Sequence, residues 1–112
     1  MPAYNAVQPA ALYPGTAIAL VNNAATDTGV TTSQQCAIAP SQSGAGITVM
    51  VLNTTNQQAQ GQFSPTDASA NYQLLSGCVV GPGAAFPYNL TAGWIRFTFA
   101  VAPTSGSLIV SR

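Results

Sequence analysis

The chain has 112 residues, enough for one domain that buries roughly two-thirds of its unfolded surface on folding. It is 47% hydrophobic, yet it carries only two basic and two acidic side chains, no histidine and a formal net charge of zero. Two well-separated arginines cannot displace the counterions of a phosphate backbone, which excludes nucleic acid as a partner, and no apolar run approaches the roughly 18–20 residues of a membrane span.

Residues 1–15 hold Pro2, Pro9 and Pro14 and close on Gly15, with Tyr4, Val7, Leu12 and Tyr13 between them. Proline fixes φ and removes a donor, so this stretch is expected to be an extended N-terminal arm. Its two tyrosines set it apart from a disordered tail. The arm is expected to dock, on a neighbouring surface or back on its own domain, through Tyr4, Val7, Leu12 and Tyr13. The opening also lacks the basic start and apolar stretch of a secretory signal, which predicts a protein made and used in the cytosol or released by lysis.

From Thr16 to Arg112 short β patterns alternate with turn signals, and this stretch is expected to form one sandwich domain. Residues 16–21 place Ile18 and Leu20 on one face before an Asn22–Asn23 turn. Residues 29–39 are rich in Thr and Val and stop at Pro40, and 41–46 read as a loop. Residues 47–53 put Ile47, Val49 and Val51 on one face and Thr48, Met50 and Leu52 on the other, so a strand covered on both sides is expected.

Residues 57–63 alternate, with Ala59, Gly61 and Phe63 inward and Gln58, Gln60 and Gln62 outward. A loop over 64–71 holds Pro65 and Asp67. Two short strands follow, 72–75 and a small apolar one within 77–85 beside a Gly-Pro-Gly turn. Residues 86–90 align Phe86, Tyr88 and Leu90, with Pro87 marking an edge. The strongest strand is 94–101: Ile95, Phe97, Phe99 and Val101 face one way and Trp94, Arg96, Thr98 and Ala100 the other. After a turn at 103–106, residues 107–111 form the last strand. No segment of ten or more residues has a capped helical period. The expectation is an all-β, antiparallel two-sheet sandwich, jelly-roll-like or immunoglobulin-like.

A surface this poor in charge must be built from Ser, Thr, Asn, Gln, Gly and Ala. Solubility near zero net charge is low, and interface cores are depleted in Lys and Glu, both absent here. Much of the surface is therefore expected to sit in permanent protein contacts. Closed symmetric association, with a trimer as the guess, would bury it.

The second half, AQGQFSPTDASANYQLL (59–75) followed by GPGAAFPYNLTAGWIRFTFAVAPTSGSLIV (81–110), resembles the ending of small β-sandwich structural proteins of tailed-phage virions. The matching pieces are Ser64 and Asp67 in a loop, Tyr72 opening a strand, Tyr88-Asn89-Leu90, Trp94-Ile95-Arg96 and the Ser105-Gly106 turn. The chain departs from the commoner form at Asp67-Ala68, where an Asp-Gly turn is replaced, and at Tyr72, where a Trp is. The resemblance implies a virion protein assembled in the host cytoplasm. Most concretely it implies a capsid decoration (cement) protein that binds the major capsid protein or other virion proteins across capsomer junctions and stabilises the phage head. A phage tail or head-fibre module that binds a host receptor or glycan is the alternative, and a pilus-like subunit a third.

Residues able to carry chemistry are few. Acid–base catalysis needs a group titrating near the working pH, and only Asp27, Asp67, Cys36, Cys78 and tyrosines are present, so no enzyme is expected. Cys36 and Cys78, without a CxxC or histidine, do not suggest a metal site and are expected to be buried small hydrophobes, with a bridge open under oxidising conditions. Asp67 is expected to make an Asx-type turn or cap a loop amide, one carboxylate being thin for calcium. Arg96 is either a contact across a subunit boundary or a solvated side chain. Trp94, Tyr72 and Tyr88 are expected in core or sheet-edge packing ahead of a sugar-stacking platform. No cofactor is expected.

Overall fold

The computed structural model describes residues 11–27, 29–40 and 46–112. Among these residues nine strands form: β1 (Ala11–Leu12), β2 (Ala17–Val21), β3 (Ser33–Ile38), β4 (Ile47–Asn53), β5 (Ala59–Ser64), β6 (Gln73–Val80), β7 (Ala84–Leu90), β8 (Gly93–Thr98) and β9 (Leu108–Ser111). Among the described residues the only helical piece is one 3₁₀ turn, Ser69–Asn71.

The strands make two sheets, A in the order β1-β3-β8-β5-β6 and B in the order β2-β9-β4-β7. All pairings are antiparallel except β1 with β3. The order has a simple origin. The chain from β2 to β9 behaves as one long hairpin with its tip between β5 and β6, so β2 pairs β9, β3 pairs β8, β4 pairs β7 and β5 pairs β6. Rolling that hairpin up adds β4–β9 and β5–β8 and closes two sheets. This is the strand order of an eight-stranded jelly roll, which decides between the two sandwich topologies expected.

The core lies between the sheets and is aliphatic. Ile18, Leu20, Val21, Val49, Val51, Leu108 and Val110 from sheet B meet Cys36, Ile38, Ala59, Cys78, Val80, Ile95 and Phe97 from sheet A. The period of two holds most strictly in β4, where Ile47, Val49, Val51 and Asn53 are buried and Thr48, Met50 and Leu52 are exposed. Asn53, fully buried, is tolerated because its amide is satisfied on both sides. Its Nδ2 donates to the carbonyls of Gln57 and Val80, both at 2.8 Å, and its Oδ1 accepts from the Thr55 N–H and hydroxyl. At Gly106 (φ 79°) a Cβ would stand 1.9 Å from the Thr54 carbonyl oxygen, so only glycine lets these two loops touch.

Several expectations need correction. Of the two dockings open to the arm, residues 11 and 12 take the one back on their own domain and so move the edge of the sandwich ahead of Thr16: Ala11 and Leu12 pair with Ala37 and Ile38, and Leu12 is fully buried. The Arg112 guanidinium locks that strand by donating to the carbonyls of Leu12 (2.7 Å) and Ala39 (2.8 Å). The predicted pieces at 72–75 and 77–85 are one strand, β6, with Gly77 (φ 78°) in a bulge that the Gln60 amide braces through the Gly61 and Cys78 carbonyls. The strongest predicted strand stops at Thr98, leaving Val101 61% exposed. Finally, β4 is covered on one side only, because nothing in the described chain packs over its Met50 and Leu52 face.

Candidate interaction faces

The outer faces of the two sheets differ along their central strands, polar on sheet A and mostly apolar on sheet B. On sheet A, antiparallel register stacks Gln35, Arg96, Gln62 and the exposed Leu74 in one outward row and Ser33, Thr98, Gln60 and the exposed Val79 in the next, the two apolar side chains standing on the edge strand β6. The loop over 65–72 folds back onto this face. Arg96 Nε donates to Gln62 Oε1 at 2.8 Å, and its guanidinium carbon lies 4.1 Å from the centre of the Tyr72 ring. Tyr72 in turn donates its hydroxyl to Asp67 Oδ1 (3.0 Å), which also accepts from Gln35 Nε2 (3.2 Å). Burial first, and then that bond to the carboxylate, pushes the Tyr72 phenol well above its ordinary range. Asp67 therefore accepts two side-chain donors instead of capping a loop amide. Arg96 is engaged by its own chain.

On sheet B the outward residues come from the same register logic with a different outcome. Ala19, Ile109, Leu52 and Ala85 form one row across the four strands; Ala17, Ser111, Met50 and Pro87 form the next; Thr48 and Asn89 close the corner. Met50 and Leu52 are 42% and 38% exposed. Thr48 Oγ1 donates to Asn89 Oδ1 at 2.9 Å, so the two most polar members partner each other. No charged side chain stands on this face. A contiguous apolar sheet face open to water is what marks a protein-contact site on a folded domain.

Of the residues expected to meet a partner, Tyr4 and Val7 lie outside the described residues. Leu12 is in the core and cannot serve, whereas Tyr13 is 57% exposed. The sequence expectation missed the sheet B face because it assigned Met50 and Leu52 to a covered interior. Their alternation with Val49 and Val51 was the signal that could have found it.

Cys36 and Cys78 are buried and unbridged. Two strands separate them in sheet A, a spacing of about 14 Å at ~4.8 Å per strand, far beyond disulfide reach. Burial pushes the Cys36 thiol up to about 12 and raises that of Cys78 as well, opposite to what a thiolate nucleophile needs. Among the described residues no group of three or more His, Cys, Asp or Glu gathers as metal ligands. Among the described residues no helix is long and apolar enough to cross a membrane.

At the open side of the sandwich a cleft of about 280 Å³ is lined by Phe63, Leu75, Asn89, Leu90 and Thr91, with no titratable group. Trp94 and Tyr72 belong to the sheet A side and Tyr88 to the edge of sheet B, where its hydroxyl donates to the Gly77 carbonyl (3.3 Å). The three aromatics do not form one stacking platform. No protein-family model, no curated protein and no solved structure matches the chain.

Proposed function

We propose that the chain is a non-catalytic structural protein that works by burying protein surface, most concretely as a decoration protein of a tailed-phage head, bound across capsomer junctions. The observation that carries this reading is the outer face of sheet B, mostly apolar, free of charge and uncovered by the described residues. Burial of such a face is favourable at about 25 cal/mol per Å² of apolar surface, and many copies on one shell would multiply the effect. The jelly-roll strand order is common in viral capsid domains and in lectins. A fold hosts many functions, so the order is supporting analogy and the face is the argument.

The test is the particle. Mass spectrometry and electron cryomicroscopy of purified virions are expected to show the chain in hundreds of copies on the head. A Leu52→Glu variant, which sets a charge in the middle of the face, is expected to be lost from the particles while folding normally. Absence of the chain from purified virions, or undiminished attachment of the variant, would overturn the reading.

A further inference from the structure

Building on that reading, we infer that the sheet B face is covered by the same face of a second copy, the two related by a two-fold axis, so that the pair is the unit that attaches to the shell. Three features of the face favour self-docking over a different partner. The first is charge. A two-fold contact lays a patch on itself, so any charge near the axis meets its own like. Asp67 and Arg96 sit on the opposite face, Asp27 lies in the β2–β3 connection, and Arg112 turns toward Leu12 and Ala39. The face thus meets the electrostatic condition for self-docking and offers nothing for a partner read by complementary charge.

The second feature is relief. Met50, Leu52 and Ile109 stand on the two central strands, β4 and β9, beside the smaller Ser111, while the flanking strands present Ala17 and Ala19 on one side and Ala85, Pro87 and Asn89 on the other. The result is an apolar ridge between low shoulders. Two such faces packed at roughly 30°, with the axis between β4 and β7, lay the two β4 ridges side by side, each over the β7 shoulder of the other copy, the way sheets pack inside a sandwich. The third is polar satisfaction: the Thr48–Asn89 hydrogen bond lets that corner be covered with few groups left unpaired.

Size sets the strength. Four strands about 4.8 Å apart and about 20 Å long give a flat footprint of roughly 400 Å². That is about half the ~800 Å² per partner of a standard interface, so the dimer is expected to be weak, half-dissociating on the order of micromolar concentrations or above.

Sedimentation equilibrium of the full chain from about 1 μM to 1 mM, with circular dichroism to check the fold, tests the inference. The native chain is expected to dimerise across this range, and Leu52→Glu and Leu52→Lys each to weaken association at least ten-fold. An equimolar mixture of the two variants is expected to recover association, because position 52 lies near the axis and opposite charges then meet. If the Leu52 variants lose their fold, Ala85→Arg on the exposed edge strand carries the same test. A native chain that stays monomeric at 1 mM, or variants that dimerise as well as the native chain, would overturn self-docking. A monomeric native chain whose Leu52→Glu variant nevertheless fails to bind particles would overturn the second copy as occupant while leaving the proposed function standing.

Discussion

The outer faces of the two sheets are made by the same chain, under the same period of two, and they differ in what their side chains are bonded to. On sheet A the polar residues close on one another: Arg96 on Gln62 and Tyr72, Tyr72 and Gln35 on Asp67, Gln60 on the β6 bulge. On sheet B, Ala17, Ala19, Met50, Leu52, Ala85, Pro87 and Ile109 have no partner layer in the described chain. A face whose groups are mutually satisfied contributes to folding. One whose groups are unsatisfied by their own chain contributes to association. Substitutions on sheet A should therefore change stability, and those on sheet B should change oligomeric state.

The largest expected effect comes from alkali, which acts on the core and on the sheet A loop and leaves the outer face of sheet B without a titrating group. Burial pushes the Cys36 thiol from 9.0 to about 12 and raises that of Cys78. The Tyr72 phenol is raised by burial and by Asp67, and the Tyr88 phenol to about 12 by burial and the neighbouring Cys78. All four belong to sheet A or touch it. Above pH 9 the folded state keeps protons that the unfolded chain releases. Stability is therefore full below pH 9 and falls as pH rises, by about 1.4 kcal/mol per pH unit for Cys36, with Cys78 adding in the same direction. Chemical denaturation across about pH 6 to 11 should show a plateau and then this decline, with Cys36→Ala removing one thiol's share. Self-association, free of titrating groups at its face, should not change between about pH 6 and 8.5. A dimer that weakens in that window would break the comparison.

How much of this was legible in the sequence follows from the range of the interactions. Alternation within one strand is local, so the inward sets Ile18 and Leu20, Ile47, Val49 and Val51, and Ile95 and Phe97 could be read directly. Pro87 likewise announced the edge strand β7. The Tyr72–Arg96 stack joins residues brought together by the β5–β8 pairing and a folded-back loop, and no local pattern encodes that. Gly77 looked like a break between two strands, because the glutamine that braces the bulge lies 17 positions earlier, at Gln60. Leu12 was hidden for a different reason: a two-residue strand between prolines has no period to read. The sheet B face was visible as alternating apolar residues, but sequence alone cannot say whether the second apolar side of β4 meets its own chain or another.

An intermediate effect is expected at Tyr72. The side chain is 8% exposed, covers Arg96 and holds Asp67. Tyr72→Ala should cost about 3 kcal/mol of folding stability, as for other buried aromatics. Tyr72→Phe keeps the ring over Arg96 and loses only the hydroxyl bond, so about 1 kcal/mol is expected. Both variants should associate like the native chain, as read by denaturant melts beside sedimentation. A Tyr72→Ala variant of native stability would mean that the sheet A face is closed only in appearance.

The smallest expected effect is the sharpest discriminator. Leu52→Gln replaces one side chain of the ridge with a polar one of similar size, and in a dilute monomer it leaves nothing buried unpaired. Its stability at low micromolar concentration should lie within about 0.5 kcal/mol of the native chain. At higher concentration the two should part, because a dimer that binds only the folded state raises the melting temperature with concentration. Calorimetry of both proteins over a hundred-fold concentration range should show a rising melting temperature for the native chain and a constant one for Leu52→Gln. If instead the dilute variant is already several kcal/mol weaker, Leu52 works inside its own sandwich, and the division between a folding face and an associating face falls.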